Sequence, residues 1–99
     1  MNADCKVISA LVTKLKDIPS VKRAVLFGSR ARGDSSDRSD YDVAVYGVLS
    51  LYEKAALRYA CDNDIPTLHK IDLIFVKDVD SPALLENIDK DGIVIYDGR

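Results

Sequence analysis

The 99-residue chain has no tryptophan, one histidine, two cysteines and three prolines. The scarcity of histidine and cysteine removes several chemistries at once. Cys5 and Cys61 stand far apart and match no CxxC or Cys/His metal spacing, so a zinc module is excluded. A pair of thiols without an export signal reads as reduced packing or surface residues in a cytoplasmic protein. His69 has no nucleophile or orienting acid in a recognisable pattern around it, which leaves a catalytic triad unsupported. No apolar run approaches the roughly 20 residues that span a bilayer. The opening Met1-Asn2-Ala3-Asp4-Cys5-Lys6 lacks the basic and apolar regions of a signal peptide. A net charge of −2 argues against a surface that clings throughout to nucleic acid. With no repeat, low-complexity tract or linker, residues 1–99 read as a single domain with one modest core.

What is present is an alternation of helical and strand patterns. Val7, Ile8, Leu11, Val12 and Leu15 recur at helical spacing, and Pro19-Ser20 stops that helix. Ala24–Phe27 reads as a buried strand ended by Gly28, with a short helix over Arg30-Ala31-Arg32 for which Ser29 can cap free amides. Residues 33–39 form a polar loop. Tyr41–Tyr46 is a second strand, and Leu49, Tyr52, Ala56, Tyr59 and Ala60 mark the apolar face of a second amphipathic helix. A third strand covers Ile71–Val76. Ser81-Pro82 opens a short helix with Leu84, Leu85 and Ile88 inward, Gly92 ends it, and Ile93–Tyr96 is the last strand. The order predicts an α/β (α+β) fold: a mixed sheet of about four strands with helices on one face. The five tyrosines fall mostly at core or interface positions and make no paired aromatic platform for RNA.

The chemistry concentrates between Gly28 and Asp42. Side chains two apart on a strand share a face, so Asp40 and Asp42 point together, with Cα atoms about 6.6–6.8 Å apart. Two such carboxylates repel unless a cation lies between them, and magnesium suits carboxylates that share it with substrate phosphates. Asp72 is the expected third member, since a lone charge in the apolar strand around it is costly unless paired or bound to metal. Two metals about 3.5–4 Å apart could then activate a hydroxyl and steady a leaving pyrophosphate. Gly28 lets phosphate approach the backbone, Ser29 offers a hydroxyl and free amides at a helix start, and Arg30 and Arg32 can neutralise phosphate charge.

Competing motifs fail on chemistry. Residues 28–35 come within one residue of a P-loop, but Asp34 stands where lysine is required and would repel the phosphates. GxGxxG is absent, and the acidic run over 34–42 lacks the glycine and terminal glutamate of an EF-hand loop.

Gly28-Ser29, ten residues, Asp40-Tyr41-Asp42 and a later Asp72 resemble the DNA-polymerase-beta-like nucleotidyltransferase superfamily. The Gly-Ser-x-Ala-Arg-Gly run and the ending Asp91-Gly92-Ile93-Val94-Ile95-Tyr96 are similar to its minimal nucleotidyltransferases, or MNT proteins. The resemblance implies a palm-like fold and magnesium-dependent transfer of a nucleoside monophosphate, AMP from ATP, to a hydroxyl. It implies that Asp40 and Asp42 hold both metals, that Asp72 joins them and helps activate the acceptor, and that Gly28, Ser29, Arg30 and Arg32 hold the triphosphate. It further implies a small helical HEPN-type toxin as partner, with the chain as its antitoxin. Two alternatives stay open: neutralisation of that partner by binding alone, and transfer to a small-molecule hydroxyl.

Overall fold

The computed structural model describes residues 3–28, 31, 40–65, 67 and 70–98. Ser29, Arg30, Arg32, the 33–39 loop and His69 lie outside the described residues, as does the side chain of Cys5. In chain order the elements are α1 (Ala3–Lys16), β1 (Arg23–Phe27), β2 (Tyr41–Tyr46), α2 (Leu51–Asn63), β3 (Ile71–Phe75), a 3-10 turn (Val76–Asp78), α3 (Pro82–Asp91) and β4 (Ile93–Asp97). The strands form one sheet in the order β3-β2-β1-β4. β1 runs antiparallel to both β2 and β4, and β2 runs parallel to β3. The mixed four-stranded α/β architecture is the one expected.

The helices, however, divide between the two faces. On one face Ala24, Leu26, Tyr41, Val43, Val45, Leu73 and Phe75 form the main core with Val7, Leu11 and Leu15 of α1 and with Leu57 and Cys61 of α2. On the other, Val25, Phe27 and Ala44 pack on Ile88, with Leu84 and Leu85 of α3 against them. The expectation of helices on one face is therefore corrected. β1 is apolar at both alternations, and a strand buried on both sides needs cover on both sides. Gly92 allows the close return from α3 into β4: a Cβ there would run into the Ile88 carbonyl and the Val25 side chain. It ends the helix in ordinary extended geometry rather than through a left-handed cap.

The boundaries have local causes. α1 closes with tightened bonds from Asp17 N–H to Lys14 O and from Ile18 N–H to Leu15 O, before Pro19 can obstruct it. The third strand ends at Phe75, one residue before the expected Val76, because the chain turns there into the 3-10 segment. Ser81 caps α3 by accepting from Leu84 N–H at 3.3 Å, with proline at the helix start as expected.

α2 shows the largest departure from its sequence pattern. Leu57 and Cys61 are buried, whereas Tyr52 and Tyr59 are 82% and 66% exposed. A capping box fixes the helix rotation: Glu53 N–H donates to Ser50 Oγ at 3.1 Å and Ser50 N–H to Glu53 Oε1 at 2.9 Å. The Ser20 hydroxyl donates to the same carboxylate at 3.0 Å, tying the start of α2 to the α1–β1 turn. These bonds, the Ser50 amide first, hold the Glu53 carboxyl below its ordinary value. Burial pushes the Cys61 thiol up to about 12, so it is a packing group and not a nucleophile. Among the described residues no helix is long and apolar enough to cross a membrane.

Because so few side chains anchor α2, its docking should be sensitive to each. Ser50→Ala is expected to cost about 1 kcal/mol through loss of the cap. Leu57→Ala is expected to cost about 2–5 kcal/mol as a core cavity. Urea denaturation of each variant measures both, and a Leu57→Ala cost below that of Ser50→Ala would contradict the described packing.

Candidate active site

The acidic site is a consequence of strand register. Tyr41, between Asp40 and Asp42, is buried in the main core. Its neighbours must therefore face the other way, toward the α3 side of the sheet. Asp42 pairs directly with Asp72 across the parallel β2–β3 ladder. Adjacent strands lie about 4.8 Å apart, so the two carboxylates issue side by side. The same alternation that places Ala44 against α3 places Asp42 beyond that cover, near the start of the strand. Asp40 immediately precedes β2 and is exposed. The fold thus brings the three sequence-predicted acids to one end of one sheet face.

The electrostatics carry the mark of this crowding. Partial burial raises the Asp42 pKa above its ordinary 3.8, and the charges of Asp72 and then Asp40 raise it further. Asp42 is therefore held where ionisation is disfavoured, and a cation would relieve it.

Gly28 forms the adjoining wall. Phe27 pairs with Asp42, so Gly28 is the next residue past that pair on β1. Its φ is +78°, in the left-handed region. A Cβ at this position would lie 2.5 Å from Asp42 Oδ2. Glycine is thus required both for the backbone turn and for room beside the carboxylate. Ala31 is helical, and its N–H donates to Gly28 O at 3.1 Å, in keeping with the short helix expected after the turn. Of the predicted phosphate-binding residues only Gly28 is described; Ser29, Arg30 and Arg32 lie outside the described residues.

The donor set fits a divalent cation: crowded carboxylate oxygens, one of them set against the bare Cα of Gly28. Among the described residues, no group of three or more His, Cys, Asp or Glu forms a preassembled metal cage. Unshielded carboxylates repel one another, and Asp72 Oδ1 instead pairs with Lys70 Nζ at 3.2 Å. Lys70 is the residue that sequence reasoning missed. Its signal was present, two positions before Asp72 and on the same face.

Over residues 9–99 the chain matches the family model described as Polymerase beta, Nucleotidyltransferase. No curated protein matches it in sequence. Solved structures do. A toxin–antitoxin complex with AMP-PNP gives a TM-score of 0.71 at 24% identity, over 91% of this chain and 73% of that one. A tri-AMPylated HEPN toxin in complex with MNT antitoxin, from Shewanella oneidensis, gives 0.64 at 22% identity, over 91% and 69%. The toxin–antitoxin MntA-HepT gives 0.62 at 22% identity, also over 91% and 69%. At these identities the likeness establishes the fold.

Two outcomes follow from the geometry. A group whose folded pKa is raised supplies stability below its unfolded pKa and loses it as pH rises through the folded value. Asp42→Asn should therefore raise Tm in chelator at pH 7–8, with the gain vanishing toward pH 3–4; a thermal melt series against pH reads this directly. Gly28→Ala should cost on the order of 1–3 kcal/mol from the left-handed backbone and the carboxylate contact. Chemical denaturation checks it, and Gly28→Ala/Asp42→Ala should recover part of the loss.

Proposed function

Because this chain belongs to the polymerase beta nucleotidyltransferase family, we propose that it transfers AMP from ATP, with magnesium, to a hydroxyl of a helical HEPN-type toxin for which it is the antitoxin. The observation that carries this reading is the register pairing of Asp42 with Asp72, with Asp40 alongside and Gly28 admitting the Asp42 carboxylate close to its backbone. The toxin as acceptor is supported by the fold shared with the MNT antitoxin found with a tri-AMPylated HEPN toxin. The cytoplasm is the setting proposed for the reaction.

In this mechanism Asp40, Asp42 and Asp72 would hold the divalent cations. When bound, the cations supply charge neutralisation for the triphosphate and the pentavalent phosphorus. Gly28, Ser29, Arg30 and Arg32 would hold the triphosphate. The acceptor oxygen forms a bond to the α-phosphorus, its proton passes to Asp72, and the bond to pyrophosphate breaks. The raised Asp42 pKa predicts that protons compete with magnesium for this carboxylate at a pH above the ordinary aspartate value, so magnesium affinity falls on the acid side.

A second reading, neutralisation by binding alone, draws on a different observation. Val48, Leu51, Tyr52 and Tyr59 are 75%, 84%, 82% and 66% exposed, and α2 lies on the sheet face opposite the acids. A partner could cover that surface without touching the acidic site.

Co-purified chain and toxin incubated with labelled ATP and magnesium separate the readings. Transfer predicts label on the toxin, reduced about 10²–10³-fold by Asp42→Asn. Undiminished labelling by that variant would remove Asp42 from the mechanism. Full protection of cells by Asp40→Asn/Asp42→Asn, with the complex intact, would favour binding alone.

A further inference from the structure

The acidic site has four corners, and the fourth is a cation. Tyr41 N–H donates to Lys70 O at 3.0 Å, continuing the β2–β3 ladder back from the Tyr41–Ile71 pair. One step further back, that register brings Lys70 alongside Asp40. Being two residues before Asp72, Lys70 shares its face. Asp40, just before β2, and Asp42 within it thus stand against Lys70, just before β3, and Asp72 within it. The ammonium is 3.2 Å from Asp72 Oδ1, on a side chain that is 70% exposed. Among the described residues it is held by one carboxylate, and its exposed stem leaves it room to swing.

We propose that Lys70 is a built-in counter-cation, a positioning residue that holds Asp72 while no divalent cation is bound and then transfers to a phosphate of the nucleotide. This inference rests on the nucleotidyl-transfer reading of the site. An ammonium and a divalent cation compete for the same oxygen, and the ammonium also repels the incoming charge. Metal alone therefore binds against Lys70. Metal arriving with a nucleotide does not, because the triphosphate gives the ammonium a new anionic partner within reach of its flexible stem. The site consequently loads metal and nucleotide together.

The two ligands should respond to Lys70→Met with opposite signs. Mn²⁺ titrated into the full chain, with free Mn²⁺ followed by electron paramagnetic resonance, should bind about three- to five-fold tighter than in wild type, the scale of one exposed ion pair. In the presence of Mn²⁺, AMP-PNP should bind about three- to five-fold weaker, and Lys70→Arg should restore both values. Lys54→Met removes a lysine paired with Asp78 at 2.7 Å, away from the acids, and should change neither. Equal affinities in Lys70→Met and wild type, or shifts of the same sign for both ligands, would overturn the inference. So would shifts matched by Lys54→Met. Asp42→Asn separates this from failure of the underlying reading. If that variant binds Mn²⁺ like wild type, the acidic site itself is misassigned; if it loses Mn²⁺ while Lys70→Met behaves as wild type, only the role of Lys70 falls.

Discussion

Repulsion between carboxylates at one end of the parallel β2–β3 pair is the constraint on which the rest of the structure turns. Parallel pairing in register places Asp42 directly beside Asp72, and Asp40, just before β2, joins them. An arrangement chosen for stability alone would separate these charges. Here the main core forbids it. Tyr41, Val43, Val45, Ile71, Leu73 and Phe75 fix both strands to α1 and α2, and a slip of one residue would expose that whole set. The packing energy of one face thus holds in place the unfavourable electrostatics of the other. The raised pKa of Asp42 is the visible result.

The division of the helices has the same logic. α1 and α2 build the core that sets the register. α3 covers the opposite face around Val25, Phe27 and Ala44, leaving the acids at the uncovered end. Complete cover of that face would bury charge that could not be compensated. A sheet with no cover there would expose Val25 and Phe27 of β1. The short helix, closed tightly through Gly92, satisfies both demands.

Much of this was legible in the sequence, and the reasons differ by element. Period-two alternation over Tyr41–Tyr46 gave both the strand and the shared face of Asp40 and Asp42, since a strand has only two sides. The Gly28 turn was legible because few residues other than glycine accept its backbone, although its closeness to Asp42 Oδ2 required the pairing of β1 with β2. The face of α2 was misread because its apolar residues spread around much of the helix. Leu51, Tyr52, Ala55, Ala56 and Tyr59 compete in sequence with Leu57 and Cys61. The choice between them is made by Ser50, Glu53 and Ser20, whose hydrogen bonds join segments more than thirty residues apart in sequence. Periodicity cannot carry that information. The third helix was assigned to the wrong face for a similar reason: apolar character at both alternations of β1 calls for two layers but does not say which helix supplies the second.

Lys70 shows how a residue can be invisible alone and clear in register. As one of 14 basic residues it reads as surface charge. Beside Asp72 and across from Asp40 it becomes the one cation placed among three acids by the described β2–β3 pairing. A site built only of carboxylates must either take up protons or splay when no metal is present. A mobile ammonium offers a third course, holding Asp72 aligned at little cost, because the pair is exposed and weak. The same weakness lets it yield to a stronger cation. A more buried arginine would hold Asp72 too firmly, and a neutral residue would leave the acids to repel one another. The acids can therefore stay ready for metal only because the interaction that steadies them is easily broken.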